Sequence, residues 1–208
     1  MFKNNIKKIY ITASGGPFFV LKNKRIKKTP KLATNHPNWN MGKKISTDSA
    51  TLMNKVFEVI EAKNIFNSSY DKISILIHPK SYIHAIIKFK NGLIKFLIHE
   101  PDMKIPIYNS IYYEENKCLT TRSLDFKILN NLELKEIEQK KFPLVKLLNK
   151  LPSKSSLFET ALVTINDYLV YKFLEKKINF QKLGKLIYKI SNHRDLKFYK
   201  LAYLVSEN

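Results

Sequence analysis

His36–Phe66, HPNWNMGKKISTDSATLMNKVFEVIEAKNIF, changes character part-way along. Its first residues are a connection: Pro37 pushes His36 away from the right-handed helical region, and Gly42 permits a turn. A Trp and a Met in so polar a loop are either a lid that closes over a ligand or a plug for the nearest apolar surface. After the basic pair Lys43-Lys44, Asp48 and Ser49 are natural N-cap residues for the clearest helix in the chain. Leu52, Met53, Val56, Phe57, Val59 and Ile60 supply its apolar stripe at three-to-four-residue spacing. The opposite face carries Asn54, Lys55, Glu58 and Glu61. Asn54 and Lys55 lie four and three residues before Glu58, so these three side chains meet on one surface. A phosphate at the positive end of this helix could take backbone N–H groups, Ser49 Oγ, the Asn54 amide and the Lys55 ammonium. Glu58 is placed to hold a hard divalent cation. The bland alternative is a solvated face whose Lys55–Glu58 pair contributes a few tenths of a kcal/mol, roughly the value of an exposed ion pair.

On the N-terminal side, Ile9–Thr12 reads as a short strand running into Ala13-Ser14-Gly15-Gly16-Pro17. Ser-Gly-Gly after a strand lets backbone N–H groups approach an anion, although the same residues also make an ordinary turn. Leu21 to Asn35 is lysine-rich and aperiodic, a loop or a frayed short helix. On the C-terminal side, Lys72–Leu76 and Ser81–Phe89 read as strands, and Asn91-Gly92 predicts a hairpin to Leu93–Ile98. His78 and His84 lie in these apolar strands and read as hydrogen-bonded structural histidines rather than ligands. His99 to Pro106 contains two prolines and reads as irregular. A polar arm follows, then amphipathic helices over Phe142–Lys150, Leu157–Glu175, Gln181–Ser191 and Leu196–Val205. The expected class is α+β: a small mixed or antiparallel sheet with helices over 1–112, a connecting arm over 113–140 and a helical bundle over 141–208.

Composition narrows the partners. The chain has 208 residues, 44% hydrophobic and 26% charged, so it can bury a core. No apolar run approaches the roughly 18 residues that would span a bilayer, and the basic start lacks the h-region of a secretory signal. One cysteine, Cys118, makes no internal disulfide, which suits a reducing compartment such as the cytoplasm or an organelle stroma. The formal net charge of +20 invites a polyanion partner. The lysines are nevertheless spread along the whole chain, without an aromatic-interleaved basic motif. They follow a compositional bias towards Lys, Asn, Ile, Phe and Tyr, so charge alone supports nucleic-acid binding.

HPNWNMGKKISTDSATLMNK, with SGGPF before it and IHPKSYIHAII and EPDMKIPI after it, resembles the 1-deoxy-D-xylulose 5-phosphate reductoisomerase family. The resemblance is dense over Ile9–Ile107 and fainter in the bundle, where Ala161–Asp167 still carries it. That family rearranges 1-deoxy-D-xylulose 5-phosphate and reduces the product with NADPH to 2-C-methyl-D-erythritol 4-phosphate, in non-mevalonate isoprenoid synthesis. It uses Mg²⁺, Mn²⁺ or Co²⁺ as a Lewis acid. The resemblance implies that Ser14, Ser49, Asn54 and Lys55 grip the substrate phosphate. His36 would contact substrate, Trp39 would cover it, and Glu58 would be both metal ligand and substrate contact. Gly42, with Met41 beside it, would lie against NADPH. It also implies a homodimer.

Departures from the family pattern are as informative. A Gly-rich nucleotide fingerprint of Rossmann type is expected first, yet the five glycines here include one adjacent pair, Gly15-Gly16. The family's other metal carboxylates, in an Asp-Ser-Glu motif, precede the Ser-Gly-Gly loop, and no acidic residue stands before Ala13. Val56 and His99 each stand where the family usually has Gly, Lys80 replaces a usual Gln, and Tyr113-Glu114-Glu115 lacks the usual Trp-Pro-Asn-Arg. Two expectations follow from the same residues. One is the reductoisomerase without its NADPH-binding domain, which a separate chain or a longer reading frame would supply. The other is a non-catalytic remnant that binds sugar phosphate or only dimerises.

Overall fold

The computed structural model describes residues 5–19, 26–39, 41–112, 117–123 and 125–202. The expectations for Tyr113–Glu115, for the end of the last helix beyond Ala202 and for the start of the 21–35 segment fall outside them. Strand β1 (Ile6–Ala13) is followed by helices α1 (Pro30–Ala33), α2 (Lys43–Thr51) and α3 (Met53–Ile65). Next come β2 (Ile73–Ile77), β3 (Ile83–Phe89), β4 (Ile94–Ile98) and helices α4 (Lys104–Ile111) and α5 (Phe126–Leu129). A 3₁₀ helix, Pro143–Lys150, then leads to α6 (Leu157–Leu174), α7 (Phe180–Ser191) and α8 (Leu196–Leu201).

The sheet is mixed, in the order β2-β1-β3-β4. β1 pairs parallel with β2, which requires the long crossover through α1–α3, and antiparallel with β3. β3 and β4 form the hairpin that Asn91-Gly92 predicts, with Gly92 at φ +91°. β2 and β3, consecutive in sequence, are thus held apart by β1. The arm is more than a connector, because Ile77 and Lys135 exchange backbone hydrogen bonds (2.8 and 2.9 Å) and so cap the outer edge of β2.

Helix α3 lies between two cores, which explains its wide apolar stripe. Leu52 and Val59 join Ile9, Ala13, Ile73, Ile75, Ile77 and Phe142 under the sheet. Met53, Val56 and Ile60 join Phe18, Leu147, Leu162, Phe173, Leu183 and Ile187 in a second cluster shared with α6 and α7. The Cβ of Val56 fills core space in that second cluster, where the side chain is fully buried.

Two expectations are corrected. Asp48 and Ser49 do not cap the helix; Gly42 is the N-cap of α2, and both residues lie inside it. The helix instead breaks at Leu52, whose φ of +62° costs a β-carbon residue about 1–2 kcal/mol. Burial of the Leu52 side chain at 1% exposure offsets a strain of that size, since a buried leucine contributes about 1.5–3 kcal/mol. Residues 104–106, expected to be irregular, start α4. Pro106 is its third residue, where the backbone N–H has no partner within the helix and its loss costs little.

Candidate active site

The break at Leu52 divides the expected ligand face between two helix ends. Ser49 lies in the last turn of α2, and Asn54 and Lys55 lie in the first turn of α3. The α3 N-terminus is therefore the positive end that an anion would meet, and Lys55 adds its ammonium there. The Ser14-Gly15-Gly16 turn packs directly on this junction. A Cβ on Gly16 would lie 2.6 Å from the Ser49 carbonyl oxygen and 2.9 Å from Ala50 Cα. Gly16 has φ +68°, so glycine is required here both for conformation and for the close approach.

His36 reaches the same place from its loop. Its Nδ1 accepts from the backbone N–H groups of Asn38 and Trp39, both at 3.1 Å. The ring proton is thereby fixed on Nε2, which donates to Ser14 Oγ at 2.9 Å. Ser14 Oγ also accepts from the Gly16 N–H at 3.1 Å, so its own hydroxyl proton is available to an incoming anion. Burial and then the nearby Lys55 charge lower the His36 pKa to about 4. His36 is therefore a neutral hydrogen-bonding group near pH 7, not a cation.

Glu58 behaves differently from the expectation of a free metal ligand. Lys55 Nζ donates to both of its oxygens (2.8 and 2.7 Å), and Asn54 Nδ2 donates to Oε1 at 2.7 Å. The three side chains do meet as the spacing requires, and they satisfy one another. Among the described residues no group of three or more His, Cys, Asp or Glu side chains is placed to hold a metal ion. A single carboxylate already engaged by an ammonium does not by itself complete a site for a hard divalent cation, which takes about six or more oxygens.

Met41 and Gly42 stand at the other end of α2 from Ser49, roughly 11 Å away at helical rise. Nothing lies within 4 Å of a Cβ built on Gly42, so that end presents open backbone. Trp39 stays out of both cores. It is half-buried, and its ring meets His84 edge-on at 6.2 Å.

The sequence reading missed several groups. Asn38 Nδ2 ties the loop to Pro79 O (2.6 Å) and Ser81 Oγ (2.8 Å). His78 is the structural histidine expected: fully buried, with Nδ1 2.7 Å from Glu133 O. His84 is hydrogen-bonded as well, to the His99 backbone. Its Nε2, like that of His78, is buried without a partner, and burial, then His99, then Lys55 and His78 lower its pKa to about 4. A signal for it was the histidine-rich spacing of His78, His84 and His99, hidden because strand pairing rather than sequence brings His84 and His99 together.

α2 is also tied to the bundle. Asp48, 1% exposed, accepts from Asn166 Nδ2 at 2.9 Å and pairs with Lys44 at 2.9 Å, and Lys44 also reaches Asp167 at 2.8 Å. Burial raises the Asp48 pKa even so.

With this geometry in place, the family models decide the assignment. One described as the 1-deoxy-D-xylulose 5-phosphate reductoisomerase C-terminal domain matches residues 1–66, and a second, the DXP reductoisomerase C-terminal domain, matches residues 98–205. The chain belongs to the 1-deoxy-D-xylulose 5-phosphate reductoisomerase family. The reductoisomerase of Pelagibacter ubique is 54% identical over 199 residues, covering 95% of this chain and 51% of the relative. That of a Sulfurihydrogenibium species is 41% identical, covering 89% and 50%. A solved reductoisomerase in complex with NADPH, fosmidomycin and magnesium superposes with a TM-score of 0.85 at 33% identity, over 95% of this chain and 48% of that one. The Zymomonas mobilis enzyme in complex with NADPH gives 0.81 at 31% identity, over 96% and 54%. The chain thus spans about half the length of the reductoisomerases it matches.

Proposed function

We propose that this chain supplies the substrate-phosphate half of a 1-deoxy-D-xylulose 5-phosphate reductoisomerase, which rearranges that sugar phosphate and reduces the product with NADPH. The observation that carries the reading is the convergence of the Ser14–Gly16 turn, His36 and Lys55 on the α2–α3 break. In this reading the Ser14 and Ser49 hydroxyls, the Asn54 amide, Lys55 and the α3 N–H groups hold the phosphate. His36 orients the substrate through Ser14, and Trp39 covers it. NADPH lies towards Met41 and Gly42, and a divalent cation (Mg²⁺, Mn²⁺ or Co²⁺) supplies Lewis acidity when bound. Glu58 would give that cation one oxygen, after releasing Lys55 to the phosphate. Its remaining ligands and the NADPH-binding domain would come from residues other than these 208. The division into a catalytic unit over 1–112, an arm over 113–140 and a bundle over 141–208 belongs to the same reading.

The partner is a second copy. β4 is an edge strand whose five residues are all exposed, with Ile94, Phe96, Leu97 and Ile98 at 40–55%. A strand apolar on both faces at a sheet edge calls for pairing or cover. Phe96→Lys is expected to convert a dimer to monomer in sedimentation velocity, and an unchanged dimer refutes this assignment. No described helix is long and apolar enough to cross a membrane, and a reducing cytoplasmic setting suits exposed Cys118.

Calorimetric titration with 1-deoxy-D-xylulose 5-phosphate and with its dephosphorylated sugar tests the site. Binding is expected for the phosphate ester alone, weakened about tenfold or more by Lys55→Ala, the scale of a charge-assisted bond. Equal binding of both sugars, or no loss in the variant, overturns it. The chain alone is expected not to oxidise NADPH, which a spectrophotometric assay checks. The reading of a remnant that binds sugar phosphate without catalysis predicts that added NADPH-binding domain restores no turnover.

A further inference from the structure

His99 takes no part in the site described above, yet it makes the closest ring contact among the described residues. Its imidazole lies face to face on that of His84, with centroids 3.6 Å apart and planes 5° from parallel. His84 meets Trp39 as well, edge-on at 70°. Trp39, His84 and His99 thus form a run of three rings that starts in the 36–39 loop and ends just past β4. The last ring is held in two ways. The His99 backbone N–H continues the strand ladder to Tyr82 O at 3.1 Å, and its Nδ1 lies 2.6 Å from Glu100 O. His84 has no partner at Nε2, and its ring is hydrogen-bonded to the His99 backbone, so residue 99 meets it through main chain as well as through its own ring.

We propose that His99 is a positioning residue: by stacking on His84 it fixes the imidazole against which Trp39 rests, and so sets the position of the 36–39 loop beside Ser14 and Lys55. The physical argument is rotational. An imidazole on a strand turns about two side-chain torsions, and a parallel ring at van der Waals distance removes most of that freedom. Asn38 anchors the loop to Pro79 and Ser81 on one side, and His36 anchors it to Ser14. Trp39 is the loop residue without a hydrogen-bonded side-chain anchor among these, so its placement falls to the ring stack. A small side chain at 99 would leave a ring-sized gap behind His84. The unpaired Nε2 and the charge of Lys55 nearby then favour rotation of His84 towards solvent, against the hydrogen bond to the residue 99 backbone that every variant keeps.

Trp39 is the chain's single tryptophan, so fluorescence excited beyond the absorption of the eleven tyrosines reports on the loop. Three variants of the full chain decide the matter. His99→Gly removes the ring, His99→Phe keeps a stacking ring without its nitrogens, and His99→Asn keeps polarity without a ring. The Gly and Asn variants are expected to raise acrylamide quenching of Trp39 about twofold, the change for a half-buried ring becoming exposed. His99→Phe is expected to stay near the parent value, and melting curves show which variants are folded. If His99→Gly fails to fold, the Asn and Phe pair carries the comparison. Unchanged quenching in the ring-less variants, or a Phe variant that behaves like them, overturns the proposal. Titration with inorganic phosphate is a second readout, and it alone rests on the phosphate-site reading. Affinity is expected to fall about fivefold in the ring-less variants, the lower end of typical coupling between sites, and to recover in His99→Phe. A parent chain that binds no phosphate refutes the phosphate site and leaves the quenching result to decide on His99.

Discussion

Replacing Gly16 by alanine would put one methyl group against the backbone that carries Ser49. Two costs add there. The backbone has φ +68°, and holding a β-carbon residue in that region costs about 1–2 kcal/mol. The new Cβ would lie 2.6 Å from the Ser49 carbonyl oxygen, and ordinary contact begins near 3.4 Å. The end of α2 cannot yield that distance freely, because Ser46, Thr47, Asp48, Ala50 and Thr51 are all buried. Overpacking of this kind typically costs about 1–3 kcal/mol, so the total is about 2–5 kcal/mol. Gly92 supplies the reference for the first cost alone. It has φ +91° at the hairpin tip, and a methyl group added there would meet nothing within 4 Å, so Gly92→Ala should lose only about 1–2 kcal/mol. Urea unfolding of the two variants measures the difference, and phosphate affinity should fall only in the Gly16 variant. Equal destabilisation of the two would refute the claim that the Ser14–Gly16 turn is seated on the α2–α3 junction.

Two further outcomes follow from buried charge. His36 and His84 both have pKa values near 4 in the fold against about 6.5 unfolded, so below pH 6.5 the unfolded chain binds more protons. Stability is therefore full above pH 6.5 and declines as pH falls towards 4. Each ring contributes less than about 1.4 kcal/mol per pH unit, because solvent still screens both. Melting temperatures across pH 4–8 check this, and a melting point that rises on acidification sinks it. Asn166→Leu removes the donor that Asp48 faces, and is expected to cost about 1–3 kcal/mol in urea unfolding while weakening phosphate binding through α2. An Asn166→Leu chain as stable as the parent would show that the tie between α2 and α6 is dispensable.

Local rules carried the sequence reading a long way. The hairpin at Asn91-Gly92, the strand before Ser14 and the bundle helices all come from short-range chemistry, namely turn residues, alternation and apolar spacing. The Asn54–Lys55–Glu58 cluster was legible for the same reason, since three- and four-residue spacing brings side chains together on any helix. What escaped reading depends on contacts between distant residues. Asp48 is a good N-cap by type, but its carboxylate is claimed by Asn166 from across the core, and the helix runs through it. The left-handed Leu52 has no local signature, because leucine tolerates that conformation only when packing over-determines it. His84 looked structural from its strand. Its ring neighbours, Trp39 and His99, stand 45 residues before it and 15 after it, so no local pattern announces them.

These long-range contacts explain why the ligand-facing residues and the bundle form one cooperative unit. Ser49 projects from a helix end that has Gly16 on one side and, one residue earlier, the Asp48 tie to α6 on the other. Lys55 projects from a helix whose next residue, Val56, is fully buried against the bundle cluster. A protein that needed these side chains only as a surface patch could place them on one straight helix. The strained break at Leu52 turns two helix ends towards the Ser-Gly-Gly turn, and the two cores on either side of α3 hold it there. Strain of about 1–2 kcal/mol persists at a site when the surrounding packing over-determines it. Here that packing comes from both the sheet and the bundle, so losing either should release the break and scatter the Ser49, Asn54 and Lys55 donors together.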